Sequence, residues 1–128
     1  MIDHIDHVVL TTRDLSSCLK FYSEILGMRL EKFQTPAGTR LALKFGNQKI
    51  NVHEWGKEFT PRAHVAAPGT LDLCFIASVS LEKVIEKLQQ SNIKIIEGPV
   101  MKTGAASKIR SVYVRDPDLN LVEISVPA

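Results

Sequence analysis

The hydrophobic and polar positions of this chain follow the same order twice. Residues 5–12 are rich in β-branched side chains and alternate weakly in polarity, which predicts a strand. Asp14 then stands as the N-cap of a helix, and an apolar stripe at helical spacing continues to Gly27, a C-cap residue. Three alternating stretches follow and predict three strands, at residues 28–33, 40–45 and 49–54.

The second half of the chain repeats this order. Residues 71–77 predict a strand, and Ser80 caps a helix with acidic side chains early and Lys87 late, as the helix dipole favours. Three more strands are predicted, with a break at Gly98-Pro99 after the first of them, at residues 93–96, 109–114 and 120–126.

A strand–helix–three-strand unit that occurs twice predicts an α+β fold of two tandem βαβββ modules. The modules span about residues 4–55 and 70–127, a connecting loop spans 56–69, and the 128 residues suit a single domain. We expect the modules to form curved sheets around a shared groove that binds a metal ion.

Composition narrows the function classes. The chain is 45% hydrophobic and 23% charged, with a net charge of +2, as in ordinary soluble globular proteins. No basic block indicates nucleic-acid binding, no apolar run reaches the roughly 20 residues that span a bilayer, and no signal peptide precedes the first strand. We therefore expect a cytoplasmic protein whose partner is a small molecule, with Cys18 and Cys74 as buried thiols in a reducing compartment.

Four ionisable side chains occupy matching points of the two halves, in or near predicted strands: His7, His53, Asp72 and Glu123. Imidazole and carboxylate groups that converge in a small domain favour a divalent metal site. Each also has an ordinary alternative, as an interior histidine, a polar residue at a strand end or a charge that faces solvent. Glu123 lies between Val122 and Ile124, where a carboxylate is costly unless it is paired or metal-bound.

Two stretches resemble the signature regions of the vicinal oxygen chelate superfamily, which holds glyoxalase I, fosfomycin-resistance transferases, extradiol dioxygenases and bleomycin-resistance proteins. The first stretch runs from His7-Val8-Val9-Leu10 through Asp14-Leu15 and Phe21-Tyr22 to Leu26-Gly27. The second is Asp116-Pro117-Asp118-Leu119-Asn120-Leu121-Val122-Glu123. The resemblance covers nearly the whole chain and is strongest to small glyoxalase I-like (lactoylglutathione lyase-like) proteins.

The resemblance implies a metal site, position by position. The family's first-strand ligand falls on His7, its last-strand carboxylate on Glu123, and its ligand at the start of the second module on Asp72, where the family usually has His. The remaining ligand position falls on Asn51, where glyoxalase I has Glu, and His53 lies two residues on, on the same strand face. The resemblance thus implies one divalent ion (Ni, Mn, Fe, Zn or Co), with His53 in the role that Asn51 leaves open.

The resemblance also implies a function. The expected protein is a metal-dependent lyase or isomerase of the glyoxalase I type, in which Glu123, or Asp72 as second candidate, moves a proton on a small thiol–aldehyde adduct or related vicinal-oxygen substrate. The side chains expected to contact the substrate are Asn51, Trp55, Arg62, Lys108 and Tyr113. The alternatives are a non-catalytic small-molecule-binding protein of the bleomycin-resistance type and a dioxygenase-like enzyme. The superfamily further implies a homodimer.

Overall fold

The computed structural model describes all 128 residues, in two compact units that comprise Met1–Thr70 and Leu71–Ala128. Each unit contains one helical segment and one four-stranded sheet. The fold class is therefore α+β with two βαβββ modules, as the sequence predicts.

The first unit forms the sheet order β1-β4-β3-β2, in which β1 runs parallel to β4 and the other pairs are antiparallel. Its elements are β1 (His7–Thr12), α1 (Leu15–Leu19) with a π-helical continuation (Lys20–Ile25), β2 (Arg29–Thr35), β3 (Gly38–Phe45) and β4 (Gln48–Glu54).

The second unit repeats this topology as β5-β8-β7-β6, with β5 parallel to β8 and the other pairs antiparallel. Its elements are β5 (Asp72–Ile76), α2 (Leu81–Gln90), β6 (Glu97–Thr103), β7 (Lys108–Arg115) and β8 (Leu121–Pro127).

Strand register divides the first sheet into an apolar and a polar face. Since side chains alternate along each strand, Leu10, Leu43, Ile50 and Val52 share one face, and all of them are buried. The opposite face carries most of the polar side chains. We call it the first polar face, and it presents His7, Val9, Thr11, Arg40, Ala42, Lys44, Lys49, Asn51 and His53.

The second sheet divides in the same way. Val112, Val114, Val122 and Ile124 share a buried face, and α2 packs against β7 and β8. The other face, which we call the second polar face, presents Asp72, Cys74, Ser111, Tyr113, Glu123 and Ser125.

Both predicted helix caps are confirmed. The Asp14 carboxylate accepts a hydrogen bond from the Ser17 N–H at 3.2 Å, and the Ser80 hydroxyl accepts one from the Lys83 N–H at 3.3 Å. Each cap satisfies a backbone donor that has no partner within its helix. The bonds from Ser17 also hold the pKa of the Asp14 carboxyl below its ordinary value.

The first strand predicted after the helix of the second half was wrong in position, since β6 begins at Glu97 and not at Ile93. The Gly98-Pro99 pair lies inside the strand, in an irregularity of the pairing with β7. Gly98 has φ +107°, and a Cβ there would lie 2.4 Å from the Ser111 carbonyl oxygen, so only glycine allows the strands to approach. Pro99 is tolerated because β6 is the edge strand of its sheet.

The turn before β8 is held by a buried carboxylate. Asp116 Oδ1 accepts the backbone N–H groups of Asp118 and Asn120, each at 2.9 Å, and Asp116 Oδ2 accepts the Asn120 side-chain amide at 2.7 Å. Asn120 Oδ1 in turn accepts the Leu71 N–H at 2.9 Å. The turn therefore ties the start of β5 to the start of β8, which fixes the position from which Glu123 projects.

The two cysteines differ in environment. Cys18 is buried as expected, but Cys74 is exposed, because it lies on the second polar face and not among the apolar side chains. The structure contains no helix with the length and apolar character needed to cross a membrane.

Candidate functional site

The internal repeat places the four family ligand positions at equivalent points of the two sheets. In the first sheet His7 lies opposite Lys49, and Asn51 follows two residues later on the same strand face. In the second sheet Asp72 lies opposite Leu121, and Glu123 follows two residues later. Asn51 and Glu123 are therefore equivalent, so the first sheet has an amide where the second has a carboxylate.

Glu123 is the carboxylate on the second polar face that hydrogen bonds from neighbouring side chains hold in position. Its Oε2 accepts the Ser111 hydroxyl at 2.6 Å and the Ser125 hydroxyl at 3.3 Å, and the two serine hydroxyls lie 2.7 Å apart. Both serines are completely buried, whereas Glu123 is half-buried. The two buried hydroxyl groups thus hold the carboxylate in position, and the half-buried Glu123 side chain remains accessible to solvent.

Tyr113 lies directly opposite Glu123 in the strand register. Burial first, and then the neighbouring Glu123 carboxylate, raises the pKa of Tyr113 to about 12. The phenol is therefore neutral at physiological pH. The Lys102 ammonium lies 5.5 Å from the centroid of the Tyr113 ring.

Asp72 and Cys74 extend this group along β5. Asp72 is exposed and lies on the same face as Glu123, two positions away in register. Cys74 lies opposite Glu123, and its sulfur contacts the Ser125 hydroxyl at 3.4 Å. Partial burial, together with Glu123 and Asp72, raises the pKa of the Cys74 thiol, which keeps it protonated. The structure thus brings Asp72, Glu123 and Tyr113 onto one face, as the sequence predicts.

The two histidines predicted as metal ligands, His7 and His53, lie at separate places on the first polar face. His7 is largely exposed and its Nδ1 contacts the Asp6 carboxylate at 2.8 Å. His53 lies opposite Thr11, which is four residues beyond His7, or about 13 Å along the sheet. Side chains that stand perpendicular to a sheet at this separation do not converge on one ion. The structure does not bring His7 and His53 together.

His53 is buried, and its Nδ1 has no hydrogen-bond partner. Its ring contacts the Phe59 ring edge-on, with centroids 5.4 Å apart. Burial in the first place, and the Arg40 charge in the second, lower the pKa of His53, while Glu58 acts in the opposite direction. Asn51 is also buried, and its Oδ1 has no partner.

The donor set does not fit the metal centre that the family pattern implies. No group of three or more His, Cys, Asp or Glu side chains in the structure is arranged to hold a metal ion. Asn51 replaces a carboxylate, and His53 lies far from His7 along the sheet. We therefore assign no chemical step to a metal.

The remaining predicted substrate contacts are exposed. Trp55 is 58% exposed, with the Arg13 guanidinium 6.0 Å from its ring centroid. Arg62 lies in the segment after β4, where its charge helps to hold the pKa of the Glu58 carboxyl below its ordinary value, after the backbone N–H of Gly56. Lys108 donates to the Thr103 hydroxyl at 3.1 Å.

Sequence reasoning missed three residues of these faces. Ser125 follows Glu123 by two positions, so strand alternation alone was sufficient to identify it. Arg40 lies two positions before Ala42 on the strand that pairs with β4, which places it on the face of Asn51. No sequence signal identified Phe59, which follows β4 in an irregular segment.

Known proteins resemble this chain over most of its length. The sequence profile described as Glyoxalase/Bleomycin resistance protein/Dioxygenase superfamily matches residues 4–124. Virulence protein STM3117 of Salmonella typhimurium is 49% identical over 125 residues, which cover 98% of this chain and 85% of that protein. The glyoxalase domain-containing protein RDO1 of Mycosarcoma maydis is 47% identical over 94% of this chain, and the match spans 66% of RDO1.

Solved structures agree with this relationship. The crystal structure of STM3117 superimposes with a TM-score of 0.91 at 47% identity and covers 100% of this chain and 99% of that one. A lactoylglutathione lyase from Agrobacterium tumefaciens superimposes with a TM-score of 0.73 at 21% identity, over 98% of this chain and 95% of that one. At this lower identity the likeness shows a shared fold alone.

Proposed function

Because the chain belongs to the Glyoxalase/Bleomycin resistance protein/Dioxygenase superfamily, whose members bind small molecules, we propose that it is a lyase or isomerase of the glyoxalase I type. Its substrate is a small thiol–aldehyde adduct or a related molecule with oxygens on adjacent carbons. The observation that supports this proposal is the Glu123 carboxylate, which two serine hydroxyl groups hold in place on an accessible sheet face.

The proposed role of Glu123 is to move a proton between two adjacent carbons of the substrate. A carboxylate takes the proton from the carbon that bears the hydroxyl group and returns it to the neighbouring carbonyl carbon. The hydroxyl proton passes to the former carbonyl oxygen, so that a thioester with an adjacent hydroxyl group is formed. The hydrogen bonds from Ser111 and Ser125 fix the orientation of the carboxylate before substrate binds. Preorganisation of this kind lowers the barrier because no group has to reorient during the reaction.

Asp72 is the second candidate for the proton transfer, since it is exposed on the same face as Glu123. Tyr113 borders the carboxylate and is proposed to contact the substrate directly. The further proposed substrate contacts are Asn51, Trp55, Arg62 and Lys108.

The superfamily typically binds a divalent metal, which polarises adjacent substrate oxygens when it is present. The sequence pattern assigns such an ion, Ni²⁺, Mn²⁺, Fe²⁺, Zn²⁺ or Co²⁺, to His7, Asp72 and Glu123, with His53 in place of Asn51. Because the side chains are not arranged as such a centre, the proposed proton transfer is assigned to the protein's own groups.

A second candidate function is binding of a small molecule without catalysis. The observation that favours it is Asn51, an amide at the position equivalent to Glu123, which removes one carboxylate of the pair expected for glyoxalase I. A protein that only sequesters a ligand has no need for a proton-transferring group, so the two functions differ in the effect of removing Glu123.

The deciding experiment measures turnover of the hemithioacetal of methylglyoxal and glutathione, followed as thioester formation. We expect wild-type turnover, loss of at least about a hundred-fold in Glu123→Gln, and no change in Glu86→Gln, which removes an exposed carboxylate on α2. Saturable substrate binding without turnover in the wild type would instead establish the binding function. Turnover that is equal in Glu123→Gln and wild type would exclude Glu123 as the base.

We also propose that the protein is a homodimer, as its superfamily implies. Size-exclusion chromatography with light scattering is expected to give twice the chain mass of 14.2 kDa. A mass equal to that of one chain would contradict the proposal.

A further inference from the structure

Three polar atoms on the first polar face are buried and lack a hydrogen-bond partner. They are Arg40 Nε, Asn51 Oδ1 and His53 Nδ1. Asn51 and His53 are only 8% and 7% exposed, and neither takes part in the proton transfer proposed for Glu123. Because an unpaired buried polar group is costly, the two nitrogen atoms of this cluster, Arg40 Nε and His53 Nδ1, point to a ligand that accepts hydrogen bonds from them.

Strand register makes these three residues neighbours. Asn51 and His53 are two positions apart on β4 and therefore project from the same face. Leu41 of β3 lies opposite Val52, so the antiparallel register places Arg40 beside His53. The three side chains form one patch on a rigid sheet.

Phe59 holds two of the three side chains. Its ring lies 4.2 Å from the Arg40 guanidinium carbon and makes an edge-on contact with the His53 ring at 5.4 Å. An aromatic ring against a guanidinium limits the rotamers of the arginine. The donors of Arg40 and His53 are therefore preorganised before any ligand arrives.

The charge around this patch favours an anion. Basic strand residues outnumber acidic ones on this face, since Arg29, Arg40, Lys44 and Lys49 are accompanied by Glu31, which pairs with Lys44 at 3.6 Å. The His53 imidazole adds a second unpaired nitrogen to that of Arg40 at this patch. The fixed positive charge of Arg40 beside His53 opposes a metal cation at the same place.

We propose that Arg40, Asn51 and His53 bind the carboxylate group of a small organic acid. The Arg40 Nε–H and the His53 Nδ1–H each donate to a carboxylate oxygen, and the Asn51 amide, whose Oδ1 only accepts, turns its NH2 group toward the same carboxylate. This assignment is independent of the proposed proton transfer by Glu123.

A singly charged anion suits the patch better than a doubly charged one. Arg40 is the one arginine in direct contact with Phe59, and the Glu58 carboxylate lies nearby. Glu58 accepts the Gly56 N–H at 2.9 Å, and this bond holds its pKa below the ordinary value, so Glu58 stays charged. The negative charge of Glu58 disfavours a phosphate dianion more than a carboxylate.

The test is an NMR titration with acetate and benzoate at constant ionic strength, with acetamide and benzamide as uncharged controls. We expect saturable shifts of the Asn51 side-chain amide and the His53 ring with the acids but not with the amides. Arg40→Gln is expected to weaken binding at least about ten-fold. Lys32→Gln, which removes an exposed cation from the opposite face of the same sheet, is expected to leave binding unchanged.

Several outcomes overturn the proposal. These are the absence of saturable shifts with either acid, equal affinity in Arg40→Gln and wild type, and tighter binding of inorganic phosphate than of both acids. If Arg40→Gln does not fold, Asn51→Asp provides the second variant, because a carboxylate of the same size repels the anion. Unchanged acid binding in Asn51→Asp also overturns it. Turnover of the hemithioacetal reports on Glu123 separately, so failure of one proposal is distinguishable from failure of the other.

Discussion

The Ser111 hydroxyl donates to Glu123 Oε2 across 2.6 Å, from the strand position diagonal to the carboxylate. Tyr113 occupies the directly opposite position and borders the same carboxylate. Ser111 and Tyr113, two residues apart on β7, therefore both face the Glu123 side chain of β8. Because Ser111 is completely buried, the hydroxyl has little freedom to turn away.

Ser111→Ala is expected to reduce both turnover and stability. Loss of a buried hydroxyl that bonds a carboxylate costs about 1–2 kcal/mol in the free energy of unfolding. Turnover is expected to fall about ten-fold as Glu123 loses its shortest hydrogen bond. Urea denaturation and the thioester assay measure the two effects. Unchanged turnover in a folded Ser111→Ala protein would show that the orientation of Glu123 does not matter.

Gly98→Ala is expected to destabilise the second unit by about 2–4 kcal/mol, the sum of a left-handed backbone strain and a steric clash. Gly98 has φ +107°, and its added Cβ would meet the Ser111 carbonyl oxygen at 2.4 Å. Gly56→Ala is the matched control, since Gly56 has φ +85° with no atom within 4 Å. The control is expected to cost only about 1–2 kcal/mol. If urea denaturation gave the same loss of unfolding free energy for both variants, the close approach of Gly98 to the Ser111 carbonyl would contribute nothing to stability.

Local sequence patterns predict the strands and faces of this fold. The predictions that were wrong concern features that depend on contacts between residues far apart in sequence. Alternation along β7 and β8 places Tyr113 and Glu123 on one face from sequence alone, and Asp14 and Ser80 identify both helix starts. The start of β6 is different. A Gly-Pro pair normally ends a strand, but β6 continues through this pair because Gly98 fits against the backbone of β7.

The candidate site was predictable only in part for the same reason. Residues 71–77 are almost uniformly apolar, so the sequence does not reveal that Cys74 faces outward while its neighbours are half-buried. The proximity of Arg40 to His53 depends on the hairpin register set by the turn at Gly46. The contacts that Phe59 makes with both residues come from an irregular segment, for which no periodic pattern exists.

Asp116→Ala is expected to destabilise the protein by about 2–4 kcal/mol, because a buried carboxylate with three donors leaves those donors unpaired when it is removed. The donors are the N–H groups of Asp118 and Asn120 and the Asn120 side-chain amide. Glu86→Ala, at an exposed position of α2, is expected to change stability by less than about 0.5 kcal/mol. Equal urea midpoints for the two variants would contradict the structural role of this turn.

Stability is expected to fall on mild acidification because of His53. Its pKa is lowered in the folded protein from the ordinary 6.5, by burial first and then by the Arg40 charge. Below the ordinary pKa the unfolded chain therefore binds more protons than the folded one, and the free energy of unfolding decreases as the pH falls. Urea denaturation between about pH 7.5 and pH 5.5 should show this decrease, with a slope of at most about 1.4 kcal/mol per pH unit from one proton. His53→Phe should flatten the profile and His64→Gln should not. An unchanged profile in His53→Phe would exclude this origin.

Divalent metal ions are expected to have little effect on the stability of this protein. An ion that binds only the folded state adds about 2.7 kcal/mol at a concentration one hundred times its dissociation constant. That gain requires three or more converging ligands, and no such group is present. Elemental analysis after incubation with Ni²⁺, Mn²⁺, Fe²⁺, Zn²⁺ or Co²⁺ should therefore find well below one ion per chain, with no rise in Tm. One ion per chain, with a rise in Tm that His7→Ala and Glu123→Ala both abolish, would instead establish the metal-dependent form of the proposed lyase, because only ligands of the ion would remove both signals together.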